Sequence, residues 1–195
     1  MRWLSLPLTL LVLTVTTGVA APHDGTPIQE TGCIYRGSAE ALANRASPLD
    51  SVSFDIAGHT VKVCYGRPSL RGRTMLGGPS VPFGRIWRTG ANEPTMLHTP
   101  TAVRIAGVLV PAGTYSLYTV PGERAWEVIV NRSYSQWGHE SQYTPEVAAQ
   151  EVDRAAVPVE TLAEPIETLT MRFEDGHLVM EWEHMRIRIP ITPGS

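Results

Sequence analysis

From Val52 to Ile191 the chain keeps returning to short runs in which apolar and polar residues alternate, and a period of two admits strands and little else. Val52, Phe54 and Ile56 alternate with Ser51, Ser53 and Asp55. Gly58-His59 supplies a turn, and Val61, Val63 and Tyr65 resume the alternation, which reads as a hairpin. Further strands are expected at residues 95–98, 102–105, 108–110, 114–120 and 125–131, with Pro-Ala-Gly and Pro-Gly-Glu segments turning the last three. Three more close the chain at 168–173, 178–182 and 186–191, the first pair joined by Asp175-Gly176. Helical signals are few. Residues 38–46 have Ser38 as a cap, and 144–153 have Pro145 at the first helical position. Many short strands with two minor helices predict an all-β domain, an antiparallel β-sandwich or jelly-roll-like barrel.

The start of the chain reads differently. Met1-Arg2-Trp3 is a short basic start, residues 4–15 are an apolar run, and 16–21 are small residues suited to cleavage after Ala20 or Ala21. The expected division is a signal peptide over 1–21, an N-terminal appendage over 22–45 and a single domain over 46–195. The apolar run falls short of the roughly 20 residues of a membrane span. The expectation is an exported protein, periplasmic or secreted. In an oxidising compartment the two cysteines, Cys33 and Cys64, predict one disulfide that clips the appendage to an early strand. Without a neighbouring histidine pair they make a poor zinc signature.

A formal net charge of -3 argues against a nucleic-acid partner, which needs a basic face. Lys62 is the only lysine, so nearly every cation is an arginine. Only particular arginine positions therefore carry a functional argument.

Those positions concentrate between Tyr65 and Thr95. Arg67, Arg71, Arg73, Arg85, Trp87, Arg88, Asn92 and Glu93 stand there among six glycines and four prolines. Glycines let the backbone approach a ligand closely, and arginine forks grip carboxylate, phosphate or sulfate in a bidentate manner. Arg67, Arg73, Trp87, Arg88, Asn92 and Glu93 are the candidate ligand-binding residues, joined by Trp137, which follows a polar loop. The competing account is an internal network in which Arg88 pairs with Glu93 and Asn92 caps the loop, since buried charges must be paired.

Tyr65-Gly66-Arg67-Pro68, Gly72-Arg73, the string Trp87 to Thr95 (WRTGANEPT), residues 111–122 (PAGTYSLYTVPG), 126–131 and Gln136-Trp137-Gly138 resemble a family of exported bacterial proteins, domain of unknown function 2911. The likeness spans roughly residues 47–191 and implies an exported β-rich domain. It brings no activity, substrate or cofactor, and the cofactor is left unknown.

Three functional readings follow. The first is an exported protein that binds a small polar or anionic ligand at the arginine-rich loop. The second is a hydrolase or lyase with Glu93 and His98 as an acid/base pair, metal-assisted if His139 and Glu140 complete a ligand set. No HExxH-type spacing supports the metal, and no metal site is assigned. The third is a non-catalytic structural module of the envelope. Ser116 lacks a Gly-x-Ser-x-Gly elbow, so a serine nucleophile is not expected. Trp126 and Trp182 read as core anchors, Asn131 and Tyr143 as neighbours of Trp137, and Glu181 to His184 as alternating solvated and packed faces.

Overall fold

The computed structural model describes residues 28–30 and 33–194. The leader expected over 1–21 lies outside the described residues. Two short strands, β1 (Ile28–Glu30) and β2 (Cys33–Tyr35), pair with each other, and the one-turn helix α1 (Ala39–Ala43) follows. Ser38 caps α1 by accepting from the Ala41 N–H.

The remaining strands are β3 (Leu49–Ile56), β4 (His59–Gly66), β5 (Thr95–Thr99), β6 (Val103–Ile105), β7 (Val108–Val110), β8 (Gly113–Val120), β9 (Ala125–Asn131), β10 (Glu151–Glu174) and β11 (His177–Pro193). They form one nine-stranded sheet in the order β3-β4-β5-β8-β9-β10-β11-β6-β7, and every pair of named strands is antiparallel. The antiparallel all-β architecture expected from the alternation is the one observed.

The sheet folds over on itself to make its own core. β3 and β10 stand five places apart in the strand order, yet Phe54 of β3 stacks on Phe173 of β10 with ring centroids 3.9 Å apart. The corner lies in β10, whose register on β11 shifts between Thr161 and Ile166 and again before Thr170. Such shifts bend a strand and let it serve two layers. The first part of β10 pairs with β9, and the later part pairs with β11. The chain leaving β4 lies along the far side of that later part, with Leu70 N–H donating to Glu167 O at 2.9 Å and Leu169 N–H to Pro68 O at 3.0 Å. Inside sit Val61, Val63, Leu97, Leu117, Val130, Leu169, Leu178, Ile187 and the three tryptophans Trp87, Trp126 and Trp182, none more than 3 % exposed.

Two expectations need correction. The helix expected through Asp153 stops at Ala148 (α2, Pro145–Ala148), and Glu151 already opens β10, because pairing with Asn131 of β9 captures it. Residues 178–182 and 186–191 are not two strands but one. Glu183 takes a left-handed φ of 51° and the chain continues, so the polar stretch around it is a bulge and not a turn. The same residue breaks the alternation expected at Glu181 to His184. Trp182 is buried, but so is Glu181, while His184 is exposed.

Candidate functional site

The arginine-rich stretch enters from β4 and returns as β5, and backbone contacts hold its two ends together. A Cβ on Gly66 would stand 2.2 Å from the carbonyl oxygen of Ala91, so only glycine lets β4 end against that turn. Trp87 exchanges both backbone hydrogen bonds with Thr119 of β8, at 2.7 and 2.9 Å. Its indole stacks on Trp182 at 5.6 Å and meets Trp126 edge-on at 6.0 Å. The turn beyond it is knitted by Thr95, whose hydroxyl donates to Thr89 O at 2.8 Å and whose N–H donates to Arg88 O at 3.0 Å. Thr89 and Asn92 both take left-handed φ values, 59° and 68°.

The candidate residues divide according to what their polar atoms already touch. Glu93 is buried and bound twice over. Arg45 grips both carboxylate oxygens, at 2.5 and 2.8 Å, and the Arg36 N–H donates at 2.7 Å. The partner of Glu93 is thus Arg45 of the appendage, not Arg88. Glu93 and His98 share no hydrogen bond or ion pair: the Glu93 oxygens are on Arg45 and Arg36, and the His98 Nδ1 is hydrogen-bonded to the Thr114 hydroxyl at 3.0 Å. Arg67 has all three guanidinium nitrogens engaged, Nε on Leu169 O and one Nη on the Thr170 hydroxyl, both at 3.1 Å, and the other 3.3 Å from Asp50. Beside it the Tyr65 hydroxyl accepts from the Met171 N–H at 2.9 Å, and burial pushes its pKa up to about 12.

Three other arginines keep nitrogens uncommitted. Arg73 donates Nε to Leu70 O and Nη2 to Ser69 O, leaving Nη1. Arg88 donates Nη1 to Asn92 O at 3.3 Å, and its Nε lies 3.6 Å from Glu140, leaving Nη2. Arg85 has no hydrogen bond or ion pair among the described residues and is exposed. These three surround two adjoining clefts. One, of about 250 Å³, is lined by Arg73, Arg88, Ser47, Ser80 and the Gly90-Ala91 backbone, with Trp87 and Trp182 at its base. The other, also about 250 Å³, is lined by Arg85, Glu140 and Pro79 to Pro82. Ser80, Val81 and Trp87 border both.

Trp137 borders neither cleft and is exposed. The glycine after it is the element that matters to the site. Gly138 N–H donates to Asn92 O at 3.1 Å, and a Cβ there would stand 2.4 Å from that oxygen and 2.8 Å from Arg88 Cδ. The Gln-Trp-Gly segment therefore lies flush on the Trp87 to Glu93 turn and delivers Glu140 to Arg88. Ser47, Ser80, Arg85 and Glu140 are the polar cleft residues outside the binding set expected from the sequence. Arg85 was legible, since it stood in the same stretch; Glu140 was not, because nothing local ties it to Arg88.

The other singled-out residues have structural partners. Ser116 donates to Ser133 O at 2.6 Å, and Asn131 donates to Val147 O at 2.7 Å and to the Tyr143 hydroxyl. Tyr143 in turn donates to Glu151 at 2.6 Å, and burial together with that carboxylate raises its pKa. His139 caps the short 3-10 turn Glu140–Gln142 by accepting from Ser141 N–H. Among the described residues no group of three or more His, Cys, Asp or Glu side chains is placed to hold a metal ion. No helix among them is long and apolar enough to cross a membrane. Cys33 and Cys64 form the disulfide expected of them, with Cα atoms 5.9 Å apart.

No curated protein and no solved structure matches the chain. Residues 47–191 match a family model described as protein of unknown function (DUF2911). The nine-stranded sheet, the Trp87 anchor and both clefts are built almost wholly from that span, and the chain belongs to the DUF2911 family.

Proposed function

We propose that this is an exported binding protein that takes a small anionic ligand, one bearing a carboxylate, phosphate or sulfate, in the cleft between Arg73 and Arg88. The observation that carries the reading is the pair of uncommitted guanidinium nitrogens on Arg73 and Arg88 beside the stacked tryptophans Trp87 and Trp182. Arginine binds such groups through planar, charge-assisted forks. The disulfide and the leader-like start of the sequence support export. Arg67 and Glu93, fully engaged inside the protein, are scaffold in this reading and not ligand-binding residues. The acid/base reading has no geometric support, because Glu93 is saturated by Arg45 and Arg36.

The test is calorimetry and thermal shift on the disulfide-intact protein with acetate, succinate, phosphate and sulfate. Saturable binding by at least one anion is expected. Arg73→Ala, at an exposed position clear of the core, should weaken it about tenfold, roughly 1.4 kcal/mol. An absence of binding by every anion at millimolar concentration would refute the reading.

A further inference from the structure

The segment from Trp137 to Gln142 is anchored firmly on either side and lightly in between. Before it, Gln136 Nε2 donates to the Tyr118 hydroxyl at 2.9 Å, and Arg36 holds Ser135 O. After it, Tyr143 donates to Glu151 at 2.6 Å. Inside it, His139 and Ser141 bond to each other, and Gln142 N–H donates to His139 O. Among the described residues only two polar contacts tie it to the body of the protein: Gly138 N–H donates to Asn92 O, and Glu140 faces Arg88. Both end on one turn, and Arg88 Nη1 shares the Asn92 carbonyl. This latch is poorly satisfied. Arg88 Nε and Glu140 Oε1 stand 3.6 Å apart, outside the roughly 2.7–3.2 Å of a closed hydrogen bond, and both are buried without a partner, as is Asn92 Nδ2. Each such group costs stability where it is left, and loops held by few contacts are the ones that open first.

We propose that Arg88 and Glu140 form a latch that anion binding releases: an anion in the Arg73–Arg88 cleft takes over as the counter-charge of Arg88, and Glu140 leaves the turn together with the Trp137–Gln142 segment. This rests on the anion-binding reading above and adds a regulatory consequence to it. The two negative groups reach Arg88 from different sides. Glu140 lines the other cleft and stands next to Nε, whereas Nη2 makes no hydrogen bond, is not buried, and belongs to a side chain that lines the first cleft. An oxyanion can therefore bond Nη2 without touching Nε or Glu140. One guanidinium then stands between two negative charges that repel each other. The incoming anion has a charge-assisted bond of ordinary length and the help of Arg73. Glu140 has a loose pair whose side chains are 20 % and 32 % exposed, the kind that contributes little. The weaker contact gives way. Glu140 is also the only acid lining either cleft among the described residues, so its departure leaves arginines as the only charged lining of both. Coupling of this kind is reciprocal: whatever loosens the latch tightens anion binding by the same factor.

The experiment sets the native, disulfide-intact protein beside Glu140→Gln, which keeps the shape of the side chain and removes its charge. Calorimetry with acetate, succinate, phosphate and sulfate should show binding about tenfold tighter in the variant, an ordinary coupling between linked sites. On the native protein, NMR should show the Gly138 amide exchanging faster when the anion is saturating, since its bond to Asn92 O is part of the latch. Charge repulsion alone would leave that exchange unmoved, and a ligand that rigidifies the protein would slow it. Equal or weaker anion binding by Glu140→Gln, or a Gly138 amide whose exchange the anion leaves unchanged or slows, overturns the latch while leaving the anion-binding reading intact. If no anion binds either protein, that reading falls and takes this inference with it. The exchange measurement needs no variant, so it decides the matter even where Glu140→Gln fails to fold.

Discussion

Arg45 holds both carboxylate oxygens of Glu93 across 48 residues of chain. The pairing joins two parts of the molecule with different standing, because the family match begins at residue 47 and Arg45 lies outside it. The appendage supplies the counter-charge for a buried acid of the central turn. Arg45→Ala should therefore cost about 3–5 kcal/mol, the penalty for leaving a buried carboxylate unpaired. Adding Glu93→Gln should recover part of that loss. Urea midpoints of the two single variants and the double variant measure the coupling; additive losses would show that the pair is not coupled.

The Cys33–Cys64 bridge holds the same appendage and spans 31 residues. Replacing both cysteines with alanine should lower stability by about 3–4 kcal/mol by loop-closure entropy. The loss should combine non-additively with Arg45→Ala, since both release one segment. Calorimetric melting of the four species checks this.

Trp87, a candidate ligand-binding residue in the sequence, stands at the centre of the core. Trp87→Ala should cost about 4 kcal/mol through the cavity it leaves between Trp182 and Trp126. Trp87→Phe should cost about half as much. A variant as stable as the parent would contradict the packing described.

Gly138→Ala tests the contact between the Gln-Trp-Gly segment and the central turn. The new methyl would press on Asn92 O and Arg88 Cδ, and a loss of about 2 kcal/mol is expected from overpacking. Thermal melting of the variant beside the parent protein checks this.

What could be read in advance followed from local rules. The β3–β4 hairpin, the Ser38 cap and the strands from 95 to 131 depend on alternation and turn chemistry within a few residues, and they are where the sequence places them. The failures are long-range. β10 carries Pro158 and Pro165, which argue against a strand. Yet Pro158 sits at the end of the β9 pairing and Pro165 within the register shift, where a missing N–H costs little. The site followed the same pattern. That arginines and a tryptophan gather at one turn was legible, but that Arg67 is satisfied by Leu169 and Thr170, and Glu93 by Arg45, depends on residues far away in the chain.

On the outer face of the β10–β11 hairpin, Arg172 above all and then Arg186 hold the Glu181 carboxyl below the usual carboxylate range. A lowered folded value means that this stabilisation is complete above the unfolded value near 4.3 and is lost as pH falls through the folded one. Stability should drop as pH falls below about 5, and drop less steeply in Glu181→Gln. At neutral pH that variant should lose about 2 kcal/mol, between the exposed and buried cases. Denaturant titrations across that range provide the check.

Glu181 is one member of a closed circuit. Arg172 touches Glu181 and Glu174, Arg186 touches Glu181 and Glu160, and Arg188 touches Glu160 and Glu174. Six residues of alternating sign thus form a loop with no terminal member. Cutting a linear chain of charges strands whatever stood beyond the cut; removing Glu160 from this loop leaves Arg186 still on Glu181 and Arg188 still on Glu174. The circuit is fault-tolerant at its exposed members and sensitive only at its buried one. The hairpin that closes the fold can therefore absorb substitutions at Glu160 that the Arg45–Glu93 pair, with a single route between its charges, cannot.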